Sequence, residues 1–224
     1  MKRSLDGIPM RRKSAEPKIK LIISRLKKRY QKEMQTLLDH TNAWELLVAT
    51  MLSAQTPDAQ VNKVTPALFK SYPNVKSFVG LKPKQLYPYL KSLNFYKTKS
   101  RNVIKTAEYI HENFNNKVPS TLEELVQLSG VGRKTANVVL ANAFDRHEGI
   151  AIDTHCITVA RRLFLYKTDD AAKIEQKVME ITPKSEWGNI NHLFIALGRD
   201  ACTARAKHCE GCVLSDICPS STVK

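Results

Sequence analysis

Residues 128–140 read LSGVGRKTANVVL. Gly130 and Gly132 flank Val131, Arg133 and Lys134 follow, and an apolar run of helical spacing then begins. Upstream, Leu122, Leu125, Val126 and Leu128 form one stripe. Downstream, Ala136, Leu140, Ala143 and Phe144 form another. The pattern predicts helix, Gly-x-Gly hairpin, helix. Glycines let a backbone approach a ligand closely, and a helix N-terminus suits a phosphate oxygen. The same pattern also serves as a plain connector between helices. Lys134 falls in the first helical turn, against the positive end of the helix dipole and beside Arg133. Both effects favour a neutral amine, and a neutral amine is a nucleophile. A solvated or phosphate-contacting lysine is the other reading.

Outward from the hairpin, the helical period continues over most of the chain. Ile19, Ile22, Ile23, Leu26 and Tyr30 make one stripe; Trp44, Leu47, Val48, Met51 and Leu52 make a second. Val103, Ala107, Ile110 and Phe114 make a third, and Ile190, Leu193, Phe194 and Leu197 a late one. Pro119 and the STLE of 120–123 predict a capping box from Ser120 to Glu123. Asp169 and Asp170 precede a stripe of Ile174, Val178 and Ile181, which Pro183 closes. There is no alternating strand pattern of useful length and no internal repeat. The fold class is all-α.

The 224 residues suffice for one large domain or two small ones, and 42% hydrophobic content allows a proper core. A net charge of +15 sets up a field that attracts polyanions, with nucleic acid the first candidate. A solubility excess or basic tails would give the same count. No apolar run approaches the ~20 residues of a membrane span. The start, MKRSLDGIPMRRKSAEPK, lacks the apolar core of a secretory signal and reads over 1–17 as a flexible basic arm. A mitochondrial presequence is the alternative.

Two further constellations carry chemistry. In IAIDTHCITVARRLF (150–164), Asp153 reads as the N-cap of the next helix, as an acid/base partner for Lys134, or as both. In CTARAKHCEGCVLSDIC (202–218), Cys202, Cys209, Cys212 and Cys218 are spaced C-x6-C-x2-C-x5-C. With no secretory signal, four thiols so close argue for a metal centre over disulfides. Zinc and an iron–sulfur cluster both fit four thiolates, and the spacing is not that of the ferredoxin runs. Cys156 stands apart as a buried thiol.

LSGVGRKTANVVLANAF (128–144) closely resembles the helix-hairpin-helix segment of endonuclease III-type DNA glycosylases, and the likeness runs from about 18 to 218. The resemblance implies that Lys134 is the catalytic nucleophile and that Asp153, in a match to the family's VDTH, is catalytic too. Gly130, Val131, Gly132 and Arg133 would hold DNA. Ser129 stands where the family usually has proline, which bears on the stiffness of the turn. The cysteine spacing matches the family's [4Fe–4S] site, and Arg205 and Lys207 in its loop would face phosphates. LSAQT (52–56) is similar to the family's LLSAQ, which makes Gln55 the residue that fills the gap left by a flipped nucleotide. NFYKTKSRNV (94–103) resembles the loop that wedges into the base stack, with Phe95 where leucine is usual. Lys97, Lys99 and Arg101 would contact phosphates.

The implied architecture is a six-helix domain over 36–147 and a cluster domain made of 18–35 with 148–224, with DNA in the cleft between them. The implied protein is a monomer acting on duplex DNA with damaged pyrimidines or abasic sites. It would be a bifunctional glycosylase/AP lyase, in the cytoplasm of a prokaryote or the nucleus of a eukaryote. Adenine-mismatch relatives usually lack the lysine and carry an added C-terminal domain, whereas this chain runs only six residues past Cys218. Thymine-mismatch relatives typically have tyrosine at the lysine position, and lysine-bearing 8-oxoguanine enzymes generally lack the cluster. A mismatch-specific glycosylase of the same superfamily and a non-catalytic DNA-binding module are the alternatives. A pure binder needs neither a nucleophile nor a carboxylate beside phosphates.

Overall fold

The computed structural model describes residues 12–31 and 36–223, with the side chains of 12–17 left out. Those residues form eleven α-helices and no strand. The chain divides into two compact units: the described residues 36–151, and 12–31 together with 152–223.

The first unit holds α2 (Ala43–Leu52), α3 (Asp58–Ser71), α4 (Val75–Phe78), α5 (Pro83–Leu90), α6 (Tyr96–Phe114), α7 (Leu122–Leu125) and α8 (Arg133–Phe144). That makes seven helical segments where six were expected, and α4 and α7 are single turns of four residues. The α2 helix is apolar on nearly every side; all its residues but Ala43 and Glu45 are buried, and it packs on α3, α6 and α8. Asn42 starts it by accepting a bond from Glu45 N–H. Around it, Trp44 meets Phe78 edge-on at 5.3 Å, and Val103, Ala107 and Ile110 of α6 are buried, with Phe114 half-buried at the rim. The cap of α7 falls one residue later than the expected Ser120 box. Thr121 accepts from Glu124 N–H and donates its hydroxyl to Glu124 Oε2, a register that buries Leu125 completely. The helix closes at Leu125 and leaves Val126 at the surface.

The second unit holds α1 (Arg12–Tyr30), α9 (Thr154–Phe164), α10 (Ala171–Ile181) and α11 (Trp187–Asp200), followed by the cysteine-bearing loop. The helix begins at Arg12, inside the segment read as an arm. The stretch 12–16 has no glycine and is rich in residues that tolerate helix. Residues 1–11, the rest of that arm, lie outside the described residues. Ile19, Ile22, Ile23, Leu26 and Tyr30 are all buried, and α1 packs on α10 and α11. Asp170 caps α10 through two backbone N–H groups. The N-terminal helix is pinned to the far end of the chain by polar ties. Arg25 grips Asp216 with both guanidinium nitrogens and Val213 O at 3.1 Å, and Tyr30 donates to Asp200 Oδ2 at 2.8 Å.

Candidate active site

Lys134 is the second residue of α8 and is exposed. Gly132 caps that helix and so brings no side chain to its N-terminus. Gly130 turns the chain at φ +79°, and a Cβ there would lie 3.0 Å from Asn102 Cγ, so a side chain would strain the backbone and displace Asn102. Gly132 has an ordinary φ of −90° and open space around it. Val131 sits between the two glycines. Its side chain is buried and its N–H donates to Leu128 O at 3.0 Å, so it anchors the hairpin from inside. The hairpin also hangs on α6: Thr106 donates to Ser129 O at 3.0 Å, and the Ser129 hydroxyl donates to Asn102 Oδ1 at 3.4 Å. Where the resemblance leads to an expected proline, this chain has a hydroxyl that bonds back to α6.

In the other unit, Asp153 caps α9 and its Oδ1 accepts from Cys156 N–H at 2.8 Å. Its side chain is half-buried. The helix it starts lies close on α11: a Cβ on Gly198 would come 2.9 Å from His155 Cβ. Cys156 is fully buried against Asn191, and burial pushes its thiol well up.

Cys202, Cys209, Cys212 and Cys218 line one pocket, with Arg162, Leu214 and Lys207 among its other walls. Arg162 donates to Thr203 O at 2.8 Å and to Cys202 Sγ at 3.3 Å. Burial raises the Cys212 and Cys218 thiols, whereas hydrogen bonds from Thr222 hold Cys209 below its usual value. As placed, no three Cys, His, Asp or Glu side chains among the described residues converge on a point where an ion would sit. Arg205 is exposed, and Lys207, also exposed, spends a donor on Ser220 O at 3.0 Å.

Gln55 and Phe95 both take left-handed backbone, at φ 54° and 57°. Gln55 is exposed just past α2, and Phe95 is 64% exposed at the N-cap of α6. Asn94 Nδ2 donates to Gln55 O at 2.7 Å, and Gln55 and Phe95 line a pocket of about 150 Å³ together with Met51, Lys99 and Asn102. Lys97 and Arg101 are exposed, as a phosphate contact requires. Lys99 is not: it is 6% exposed and donates to Thr56 Oγ1 at 2.7 Å. The sequence offered no signal for this, because Thr56 is remote along the chain. Asn94, Asn102 and Arg162 were missed for the same reason.

A family model described as HhH-GPD superfamily base excision DNA repair protein matches residues 48–184. Endonuclease III of Synechocystis sp. is 41% identical over 82% of this chain and 84% of its own length. Endonuclease III of Bacillus subtilis is 39% identical over 81% and 83%. The solved structure of a trapped endonuclease III–DNA covalent intermediate superposes with a TM-score of 0.85 at 36% identity, covering 92% of this chain and 96% of that one. With its glycine hairpin, its exposed first-turn lysine and its four thiols, the chain belongs to the HhH-GPD superfamily of base excision DNA repair proteins and, within it, to the endonuclease III family.

Proposed function

We propose that this DNA glycosylase and AP lyase removes oxidised pyrimidines from duplex DNA, with Lys134 as the nucleophile and Asp153 as its partner. One observation carries the reading: Lys134 is exposed in the first turn of a glycine-capped helix, directly after a hairpin shaped for backbone approach. The damaged base is turned out of the stack. The Lys134 amine attacks C1′ of the deoxyribose, and the bond to the base breaks as the base leaves. The Asp153 carboxylate offsets positive charge building on the sugar and takes part in proton transfer. The reading requires both side chains to reach the same nucleotide. The C1′–O4′ bond then breaks, O4′ takes up the proton the amine gave off, and lysine and the opened sugar are joined as a protonated Schiff base, which acidifies the C2′ proton. Loss of that proton breaks the C3′–O bond, leaving an unsaturated aldehyde on one side and a 5′-phosphate on the other. Water releases the lysine. Gln55 fills the vacated space, and Phe95 wedges the stack open.

The four cysteines supply the donors for a [4Fe–4S] cluster. A single zinc draws four sulfurs to about 2.3 Å from one point, whereas four thiols spaced around a pocket suit a larger group. When bound, the cluster supplies four metal–thiolate bonds that fix the loop carrying Arg205 and Lys207. The test of the enzyme reading is borohydride trapping on a duplex with one thymine glycol. Wild type forms a covalent adduct and Lys134→Gln does not; base release without any adduct would mean a water-activating glycosylase instead.

A further inference from the structure

The mechanism above leaves one well-defined group unused. Lys99 lies one turn into α6, and its backbone N–H donates to Phe95 O at 3.0 Å. Its ammonium is buried and donates to the hydroxyl of Thr56, itself 8% exposed and next to Gln55. A single lysine thus touches both left-handed residues at one remove: Phe95 through its own backbone, Gln55 through Thr56. The Asn94–Gln55 bond is a second tie between the same two segments. Non-glycine residues at positive φ cost about 1 kcal/mol or more each and persist only where their surroundings hold them. Burying an ammonium is also costly unless it has a partner, and here burial lowers its pKa to about 8. Two unfavourable backbones and one buried charge meet at the pocket beneath Gln55 and Phe95.

We propose that Lys99 is a positioning residue which, through its bond to Thr56, clamps the end of α2 to the start of α6 so that Gln55 and Phe95 enter the duplex as a unit. The proposal rests on the gap-filling and wedging roles given to those two residues. Lys99 itself touches no DNA.

The experiment reads insertion apart from chemistry. In a Lys134→Gln background, a duplex carries thymine glycol opposite 2-aminopurine, whose fluorescence rises on unstacking. Single-turnover base release is measured in parallel with Lys134 intact. Thr56→Val keeps the volume and removes the acceptor; Thr56→Ser keeps the acceptor and removes the methyl. The expected result is about tenfold slower insertion and base release for Thr56→Val and for Lys99→Met, the scale of one lost charge-assisted bond. Duplex affinity changes less than threefold, Thr56→Ser behaves as wild type, and the double variant loses no more than either single one. A purely structural role predicts the opposite order for the two threonine variants. Wild-type insertion in Thr56→Val and Lys99→Met, with Gln55→Ala and Phe95→Ala both slow, would overturn the clamp alone. Wild-type insertion in Gln55→Ala and Phe95→Ala would overturn the wedge reading and the clamp with it. Thr56→Val keeps the test decisive should Lys99→Met fail to fold.

Discussion

At the scale of single residues, the two glycines of the hairpin have different jobs. Gly130 needs its positive φ and has Asn102 where a side chain would go. Gly130→Ala therefore costs about 1 kcal/mol for the left-handed backbone plus the displacement of Asn102. Thermal melting should show a fall of several degrees together with weaker DNA binding. Gly132→Ala, at ordinary φ in open space, should melt within a degree or two of wild type. Lys99 gives a pH prediction. Its folded pKa, about 8, lies below the ordinary 10.5. Between those values the unfolded chain binds the extra proton, so stability from this group rises with pH across the window. Lys99→Met removes that slope. The melting temperature of Lys99→Met relative to wild type should be most favourable at pH 7.5 and decline towards pH 10. A difference that does not change with pH would contradict the burial of the charge.

At the scale of elements, local signals carried furthest. The stripes of α1, α2, α6, α10 and α11 were legible because helical spacing needs no partner to be seen, and their residues are buried or half-buried as the spacing required. The hairpin was legible because glycine admits the tight-turn backbone, Gly130's positive φ among it, that other residues avoid. What failed was set by contacts between distant segments. The cap at α7 slid from Ser120 to Thr121 because Leu125 had to reach the core. Lys99 reads as one more surface cation until α2 brings Thr56 to it. Val131 reads as part of the turn, and only the fold shows that its side chain is buried beneath it. The four cysteines could be counted in the sequence, but only folding gathers them around one pocket. Asp153 caps α9 and is also the proposed partner of Lys134, and the two roles can be separated. Asn caps as well as Asp, so Asp153→Asn should leave melting within a few tenths of a kcal/mol while base release collapses. Asp153→Ala should lose both, with about 1 kcal/mol of stability gone. Equal activity in wild type and Asp153→Asn would reduce Asp153 to a cap.

At the scale of the whole molecule, the excess of +15 sets the first encounter with DNA. Each phosphate neutralised contributes about 0.9 to the slope of log K against log salt. Lys97 and Arg101 are exposed close to Phe95 in sequence, and Lys99, between them in sequence, is buried. Lys97→Ala and Arg101→Ala should each lower the slope by about one, and Lys99→Met should leave it unchanged. A slope that falls equally in all three would place the Lys99 ammonium on the DNA and remove it from the clamp.

The central claim is that one amine, on Lys134, carries the chemistry of this fold. Its most direct test maps the attachment point. The borohydride-trapped adduct is digested and the sugar remnant located by mass spectrometry. The account predicts the remnant on Lys134, in the peptide that follows the Gly130–Gly132 hairpin. A remnant on another lysine or on the N-terminal amine would contradict it.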